Sequence, residues 1–276
     1  MLRRILAVSS AVWLSAAVAQ EEVTFTESSA EFTTAYDEAI KLIRERGLND
    51  KMDAPVFNAR TSEELEALAR EIAEERPIAE ISQGDRAVQY DVILQPGHYG
   101  RRTGAVGTQG DRVSERALVA YVTKLIAARL RELDREVLVV SADEFVRDDA
   151  TTPEWDGLAS TTFLAVHADG SVKPCSTGPS LGYSAETSPH AMHAIGFGLA
   201  SALGYKYQDF RRDNFTANEA NYYMFRHVRA GSLEGLLELG ELTCTSEEDK
   251  LVANADVVAK NVAEAIEFVL ALQQAE

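Results

Sequence analysis

From about Val88 onward, short apolar runs of strand length alternate with longer segments that are apolar at every third or fourth residue. The predicted strands cover residues 88–94, 136–141, 162–166 and 235–239. The predicted helices cover residues 113–133, 188–203 and 247–272. Alternation of this kind is typical of parallel strands joined by helical connections. We therefore predict an α/β fold, a mostly parallel twisted sheet flanked by helices on both faces.

The segment before this alternation differs in character. Apolar and aromatic residues recur at helical spacing between Phe32 and Ile43, and a second helix begins at a capping-box pattern near Thr61. Nothing in this segment suggests chemistry. We therefore predict a helical N-terminal extension over residues 20–87, followed by the main domain over residues 88–276.

The first 19 residues predict a secretory signal peptide. Arg3 and Arg4 give a positive start, an apolar run follows, and residues 17–19 form a small-x-small cleavage site. Cleavage would leave Gln20 as the first residue of a periplasmic or secreted protein. Two alternatives are a buried first helix and twin-arginine export, and the residues around the arginines fit that export signal poorly.

Charge and hydropathy exclude two classes of function. The chain has a net charge of −17 at pH 7, which becomes more negative when the two leader arginines are removed. Such a protein repels phosphate backbones, so we expect no nucleic-acid partner. After the leader no stretch of eighteen apolar residues occurs, so we expect no transmembrane segment in the mature form.

The chain has two cysteines, Cys175 and Cys244. An exported protein can form a disulfide, because its compartment is oxidising. Their positions in the sequence do not show whether they meet. A disulfide and two buried free thiols therefore remain alternatives.

Four polar residues stand where strands end or a helix begins. His98 follows the first predicted strand, Glu115 opens the long helix, His167 ends the third strand and Glu238 ends the last. Ligands of open α/β sheets gather at the carboxyl ends of strands. Two imidazoles and a carboxylate match a catalytic zinc site that keeps one position open for water. A further carboxylate, Glu238, suits the exchange of protons with the reacting groups.

Other polar residues carry weaker signals, and spacing alone does not make the four residues a short metal-binding motif. Taken singly, each histidine is more typical of a hydrogen-bonded residue and Glu238 of a capping or ion-paired acid. His190 and His193 have a spacing that can bind metal, but a solvated helix start is the favoured interpretation. His227 has no special context. Arg211 and Arg212 could meet an acidic peptide, although a charged loop is the more typical interpretation.

The order of these segments resembles the zinc-dependent N-acetylmuramoyl-L-alanine amidase family. The chain has a Pro-Gly-His turn within residues 95–100 and a glycine-rich loop that leads to the helical glutamate within residues 104–115. A His-Ala-Asp segment follows at residues 167–169, and a Glu-x-Gly segment at residues 238–240. The resemblance covers roughly residues 88–273.

This resemblance implies one zinc ion per chain, bound by His98, Glu115 and His167, with Glu238 as catalytic acid/base. The implied reaction hydrolyses the amide between N-acetylmuramic acid and L-alanine, with peptidoglycan or a muropeptide as substrate. One alternative is a zinc amidohydrolase acting on soluble muropeptides or N-acyl amino acids. Another is a non-catalytic binding protein on the same fold. The sequence does not decide between these alternatives. It also does not show whether the protein needs a protein activator.

The chain departs from the family pattern at three positions. Gln95 stands where the family usually has Asp, Tyr99 where it has a second Gly, and Glu241 where it has an aromatic or aliphatic residue. We expect Gln95 to alter the support of the first histidine, since metal-bound imidazoles need a partner on their other nitrogen. Tyr99 and Glu241 are expected to reshape the groove and shift substrate preference. Residues 142–161 are too few for an inserted blocking helix, so we expect no self-inhibition of that kind.

Overall fold

The computed structural model describes residues 60–74, 84–100, 104–142, 156–205, 209–211 and 213–273, together with residues 41 and 45. The predicted signal peptide and its cleavage site lie outside the described residues. So do nearly all of the first helix of the extension and most of the segment in which no blocking helix is expected. Within the described part of the chain, no helix combines the length and apolarity needed to cross a membrane.

Secondary structure follows the predicted alternation. The helices are α1 (Ser62–Ala73), α2 (Glu115–Glu132), α3 (Pro189–Leu203), α4 (Ala217–Ala220), α5 (Thr245–Ala253) and α6 (Ala255–Gln273). A short 3-10 helix covers Tyr223–Arg226. The strands are β1 (Gln89–Pro96), β2 (Val137–Val139), β3 (Ala159–Asp169), β4 (Ser180–Tyr183) and β5 (Arg229–Glu241).

The five strands form one sheet in the order β2-β1-β3-β5-β4. The strands β2, β1, β3 and β5 run parallel to their neighbours, and β4 pairs antiparallel with β5. The predicted mostly parallel α/β sheet is therefore confirmed. Strand β4 was not predicted, because a four-residue edge strand is too short for a periodic pattern.

Helices cover both faces of the sheet, as predicted, but to different extents. On one face, Val92 and Leu94 of β1 belong to the core that also contains the apolar sides of α2, α3 and α6. On the other face, Ile93 packs in a smaller cluster with Met224 of the 3-10 helix. Short α4 lies on this second face, where a Cβ on Gly182 of β4 would meet Glu219. The second face therefore carries no long helix among the described residues.

The described helix of the N-terminal extension packs on the main domain. Its capping box forms as predicted, with Thr61 Oγ1 accepting from Glu64 N–H and the Glu64 carboxylate accepting from Thr61 N–H. Ala69 and Ile72 are buried in the larger core. Helix α1 thus contributes to the main core, and the division between extension and domain at residue 88 stays a prediction.

The predicted closing helix is two helices. Asn254 ends α5 with φ −122° and ψ 19°, outside the helical region, and its side-chain amide donates to Lys250 O at 2.8 Å. Such a side-chain bond competes with the helical backbone pattern. The apolar stripe continues across this break, which is why periodicity alone does not reveal it.

Cys175 and Cys244 form a disulfide, so this alternative is the correct one. The bond joins the loop that follows β3 to the start of α5, after β5. Those two loops therefore flank the carboxyl ends of adjacent parallel strands.

Candidate metal and catalytic site

Glu115 is fixed at the first turn of α2. Ser114 caps the helix by accepting from Ala117 N–H, so Glu115 is the first helical residue. Its Oε2 accepts from Thr108 N–H at 2.9 Å, and its own N–H donates to Thr108 O at 2.8 Å. This two-point contact with the glycine-rich loop leaves Oε1 to face the two imidazoles.

His98 reaches this carboxylate from the turn after β1. It has φ 60°, a left-handed backbone conformation that histidine adopts more readily than most residues. Its Nε2 lies 3.1 Å from Glu115 Oε1. A Cβ on Gly107 would collide with Glu115 and would lie 2.6 Å from the His98 ring, so only glycine leaves room for both side chains.

His167 approaches from the neighbouring strand. Its Nδ1 lies 2.9 Å from the same Glu115 Oε1, and its ring meets that of His98 at a centroid distance of 5.4 Å and an angle of 76°. Gly97 lies directly against this ring, because a Cβ there would be 2.5 Å from His167 Nδ1. The two glycines thus form the cradle in which the three side chains converge.

The electrostatics of Glu115 favour its ionised form. Burial alone would raise the pKa of this carboxyl, but the hydrogen bonds and charges of His167 and His98 outweigh burial and lower it far below its usual range. The position at a helix N-terminus also favours negative charge. Glu115 therefore stays an anion, which is the form that binds a cation.

This arrangement fits a zinc ion. Among the described residues, His98, Glu115 and His167 form the one group of three potential ligands, with ligand atoms within 4.8 Å of one another. Ligands about 2.0–2.2 Å from one tetrahedral zinc lie roughly 3.3 Å apart, close to the observed 2.9 and 3.1 Å contacts. The donor set of two imidazoles and one carboxylate is also typical of catalytic zinc. Their role as metal ligands stays a prediction.

Glu238 lies beside this cluster on β5, in register with His167 of β3. The residue is only partly buried, but its Oε2 is inaccessible and has no hydrogen-bond partner among the described residues. Burial, followed by the negative charges of Glu115, Asp169 and Glu219, raises its pKa well above the usual range. A carboxyl with a raised pKa and one oxygen free of hydrogen-bond partners among the described residues is suited to proton exchange.

The unusual residue Gln95 supports the site at the second histidine. It is fully buried, and its Oε1 accepts from the Tyr222 hydroxyl at 2.6 Å. That hydroxyl lies 3.2 Å from His167 Nε2. His98 Nδ1, in contrast, is buried without a hydrogen-bond partner among the described residues. Gln95 therefore reaches the second histidine through Tyr222, and its expected effect on the support of the first histidine stays a prediction.

The other two unusual residues do not enter the cluster. Tyr99 is partly buried against the larger core. Glu241 is fully buried and its carboxylate accepts from Cys175, Ser176 and Thr177 N–H. Any effect of Glu241 on the groove therefore acts through the loop it holds, and the shift in substrate preference stays a prediction.

The remaining candidate residues stand apart from one another. His193 is buried and its Nε2 lies 2.6 Å from Asp213 Oδ2, whereas His190 is exposed. Neither joins the one group of three potential metal ligands found among the described residues. His227 contacts Asp156 at 3.3 Å. Arg211 stacks over Phe215, and Arg212 lies outside the described residues.

Sequence reasoning missed Tyr222 and Thr108, which contact His167 and the Glu115 carboxylate. Tyr222 precedes the 3-10 helix, and Thr108 lies in the glycine-rich loop. Neither residue type is diagnostic of a metal site. The available signal was the glutamine that replaces the usual aspartate, since a longer side chain implies a more distant partner.

The comparison with protein families agrees with this geometry. The family model of N-acetylmuramoyl-L-alanine amidase matches residues 92–268, which include all four candidate residues. No curated protein sequence matches the chain.

Two solved structures illustrate the shared fold. An N-acetylmuramoyl-L-alanine amidase from Clostridium difficile 630 is 20% identical with a TM-score of 0.52, over 66% of this chain and 97% of that one. The N-acetylmuramoyl-L-alanine amidase AmiC2 of Nostoc punctiforme is 19% identical with a TM-score of 0.50, over 66% of this chain and 96% of that one. With the family match over most of the chain, the protein belongs to the N-acetylmuramoyl-L-alanine amidase family and is an amidase of bacterial peptidoglycan.

Proposed function

We propose that the protein is a zinc enzyme in which His98, Glu115 and His167 bind one ion and Glu238 transfers the proton. The observation that carries this proposal is the convergence of three ligand atoms within 4.8 Å, next to a buried carboxylate oxygen with no partner among the described residues. The substrate amide joins N-acetylmuramic acid to the L-alanine of the stem peptide.

The chemistry divides between the ion and the protein. When bound, zinc polarises the carbonyl under attack and makes a water molecule more acidic. Glu238 takes the proton from the attacking water and returns it to the nitrogen of L-alanine as the amide breaks. Its raised pKa suits this role, because a carboxyl whose pKa lies above its usual range holds a proton more readily before it returns it.

Thr108 and the two glycines prepare the site before substrate arrives. Thr108 N–H holds one oxygen of Glu115, so the other oxygen keeps its position against both imidazoles. Gly97 and Gly107 allow the backbone to approach the ligand side chains. This preorganisation reduces the rearrangement needed on metal binding.

We also propose that the enzyme works in the periplasm or outside the cell, after cleavage near residue 19. The disulfide between Cys175 and Cys244 supports this location, because such bonds persist in oxidising compartments. The predicted leader supports it independently. N-terminal sequencing of the exported protein should begin at or near Gln20, and an uncut or cytoplasmic protein would contradict this location.

The decisive experiment is digestion of intact peptidoglycan by the mature protein, with release of new L-alanine amino termini as the readout. We expect release with zinc, loss of release with a chelator, and recovery on adding zinc back. His98→Ala should lose both zinc binding and activity. His190→Ala is the matched control, because that exposed histidine lies outside the cluster and should retain both.

The outcomes separate the alternatives. Release from soluble muropeptides but not from intact wall would favour the amidohydrolase of small substrates. Zinc binding without hydrolysis of either substrate would favour a non-catalytic protein. Hydrolysis that survives complete removal of metal would contradict the zinc mechanism.

A further inference from the structure

The amide of Gln95 has one defined orientation. Its Nε2 donates to Ser141 O at 3.1 Å and to the Tyr223 hydroxyl at 3.1 Å. The backbone carbonyl of Ser141 can only accept, so the amide nitrogen must face it. The amide oxygen of Gln95 must therefore point the other way, toward Tyr222.

This orientation decides which way the Tyr222 hydroxyl points. An amide oxygen can only accept a hydrogen bond, so Tyr222 donates its single proton to Gln95 Oε1, at 2.6 Å. The hydroxyl has no second proton for the imidazole. Towards His167 the Tyr222 oxygen can therefore act only as an acceptor.

The position of the proton on the His167 ring follows from the same count of donors and acceptors. A bound cation requires the lone pair of Nδ1, the nitrogen that lies 2.9 Å from Glu115 Oε1 in the ligand cluster. The proton of the neutral imidazole then belongs on Nε2, which lies 3.2 Å from the accepting Tyr222 oxygen. The tautomer of a metal-bound histidine is set by the hydrogen bond of its other nitrogen.

We propose that Gln95 and Tyr222 form a positioning relay that holds His167 as its Nε2–H tautomer and presents Nδ1 to the metal. This inference rests on the proposed zinc site. It assigns a function to the glutamine that replaces the usual aspartate: the longer side chain reaches a tyrosine, and the tyrosine reaches the imidazole. Neither residue belongs to the group of potential metal ligands among the described residues.

Packing around the imidazole reinforces the relay. The rings of His167 and Tyr222 meet edge to face, with centroids 5.6 Å apart and an angle of 80°. Phe225 packs against Tyr222 with centroids 5.7 Å apart. Gly97 lies directly against the imidazole, because a Cβ there would be 2.5 Å from Nδ1. The ring therefore has a fixed plane, and the relay fixes which nitrogen carries the proton.

The neighbouring tyrosine provides a matched control. Tyr223 contacts the same amide through its hydroxyl, but only at the second hydrogen of Nε2. Without the Tyr223 hydroxyl, Ser141 O still fixes the amide orientation. Tyr222→Phe and Tyr223→Phe each remove one hydroxyl from the same network, yet only Tyr222→Phe removes the acceptor of His167.

The test measures the zinc dissociation constant of the full mature protein by competition with a chromogenic chelator. Loss of a group that supports a metal-bound histidine typically weakens metal affinity about 10–100-fold. We expect Tyr222→Phe to lose zinc affinity within that range. Gln95→Met, which removes the acceptor of the Tyr222 proton, should show a smaller loss in the same direction. Tyr223→Phe should stay within about 3-fold of the wild type.

Nitrogen-15 spectra of the zinc-loaded protein, labelled at histidine, give a readout independent of affinity. We expect His167 to carry its proton on Nε2 and to bind zinc through Nδ1. Zinc bound through Nε2 would overturn the relay, because Tyr222 would then face the metal-binding nitrogen. A double-mutant cycle of Gln95→Met and Tyr222→Phe should be non-additive, since both changes interrupt one chain of hydrogen bonds.

Failure of the relay and failure of the zinc site look different. If the wild type binds zinc and His167→Ala does not, the zinc site stands. Equal affinities of Tyr222→Phe and the wild type would then overturn the relay alone. An equal loss in Tyr222→Phe and Tyr223→Phe would also overturn it, because general loosening would explain both. If His167→Ala binds zinc as well as the wild type, both proposals fail.

Discussion

Glu238 and Glu241 lie three residues apart on β5, yet their carboxylates have opposite surroundings. The Glu241 carboxylate accepts hydrogen bonds from the backbone N–H groups of Cys175, Ser176 and Thr177 and from the hydroxyls of Thr177 and Thr243. Glu238 Oε2 has none among the described residues. The Glu241 carboxylate is therefore occupied by hydrogen bonds from a loop, whereas Glu238 Oε2 remains available beside the candidate metal cluster.

The pKa values of Glu241 and Glu238 move in opposite directions because their surroundings differ. Burial acts to raise both, but at Glu241 the hydrogen bonds from Thr243, Thr177 and Cys175 outweigh it and lower the pKa. At Glu238 the charges of Glu115, Asp169 and Glu219 add to the effect of burial. The hydrogen bonds received by Glu241, which Glu238 Oε2 lacks among the described residues, therefore distinguish a structural acid from one that can exchange protons.

The largest expected effect is on catalysis at Glu238. Glu238→Gln should reduce the rate of amide hydrolysis about 10²–10⁴-fold, because the amide cannot accept the proton of the attacking water. Zinc affinity should be nearly unchanged, since Glu238 is not a predicted ligand. The measurement is kcat/KM on a defined muropeptide, with zinc content determined on the same samples.

Glu241→Gln is the matched control on the same strand. It should retain catalysis to within about 10-fold per folded molecule, because its carboxylate does not face the reacting groups. Equal losses of activity in the two variants would contradict the division between a catalytic and a structural acid.

The next largest effect concerns the disulfide that borders the loop held by Glu241. Replacing both Cys175 and Cys244 by serine removes a cross-link between residues 69 positions apart. By chain-entropy arguments this costs about 4 kcal/mol in the free energy of unfolding. Urea unfolding at neutral pH would measure it. Wild type treated with a reductant should lose a similar amount, and an unchanged midpoint in both would contradict the stabilising role.

The sequence could predict those parts of the fold and of the site that depend on local patterns. His98, Glu115 and His167 each occupy a position that local pattern reveals, a strand end or a helix start, and parallel strands bring such positions together. The helices and the parallel strands follow from periodicity in the same way. Strand β4 was not predicted, because a strand of four residues at the edge of the sheet is too short to show a periodic pattern.

Features that depend on long-range contacts could not be predicted. Gln95 and Tyr222 are far apart in the chain. They meet because the segment before β5 packs on the face of the sheet toward which the Gln95 side chain points. Glu241 likewise gains its partners from a loop that follows another strand. A single buried glutamate offers no local sign of whether its carboxylate will be satisfied by backbone N–H groups or left without partners.

A smaller loss of stability is expected at Glu241 itself. Hydrogen bonds to a charged group contribute about 1.5–3 kcal/mol each at most, and neutral ones less. Glu241→Gln keeps one acceptor oxygen and places an amide nitrogen against backbone N–H donors, so we expect a loss of about 2–3 kcal/mol. Thermal and urea unfolding of the oxidised protein would measure it. Glu234→Gln, on the same strand, is the control and should change the midpoint little.

The smallest expected effect is the pH dependence of the stability differences between the two glutamate variants and the wild type, measured on the metal-free protein. The folded-state pKa of Glu241 is lowered, so its contribution to stability is present above the ordinary glutamate pKa and is lost as the pH falls through the folded value. The folded-state pKa of Glu238 is raised, so its contribution is present below the ordinary pKa and is lost as the pH rises through the folded value.

Urea unfolding of both variants between pH 7 and pH 3 should therefore give opposite trends relative to wild type. The deficit of Glu241→Gln should be largest at pH 7 and shrink in acid, because the wild-type carboxylate becomes protonated. Glu238→Gln should be at least as stable as wild type at pH 7, since it removes a buried charge, and this advantage should fade in acid. Parallel trends would show that the two carboxylates share one environment, and Glu238 would then lose its distinction as the acid free to exchange protons.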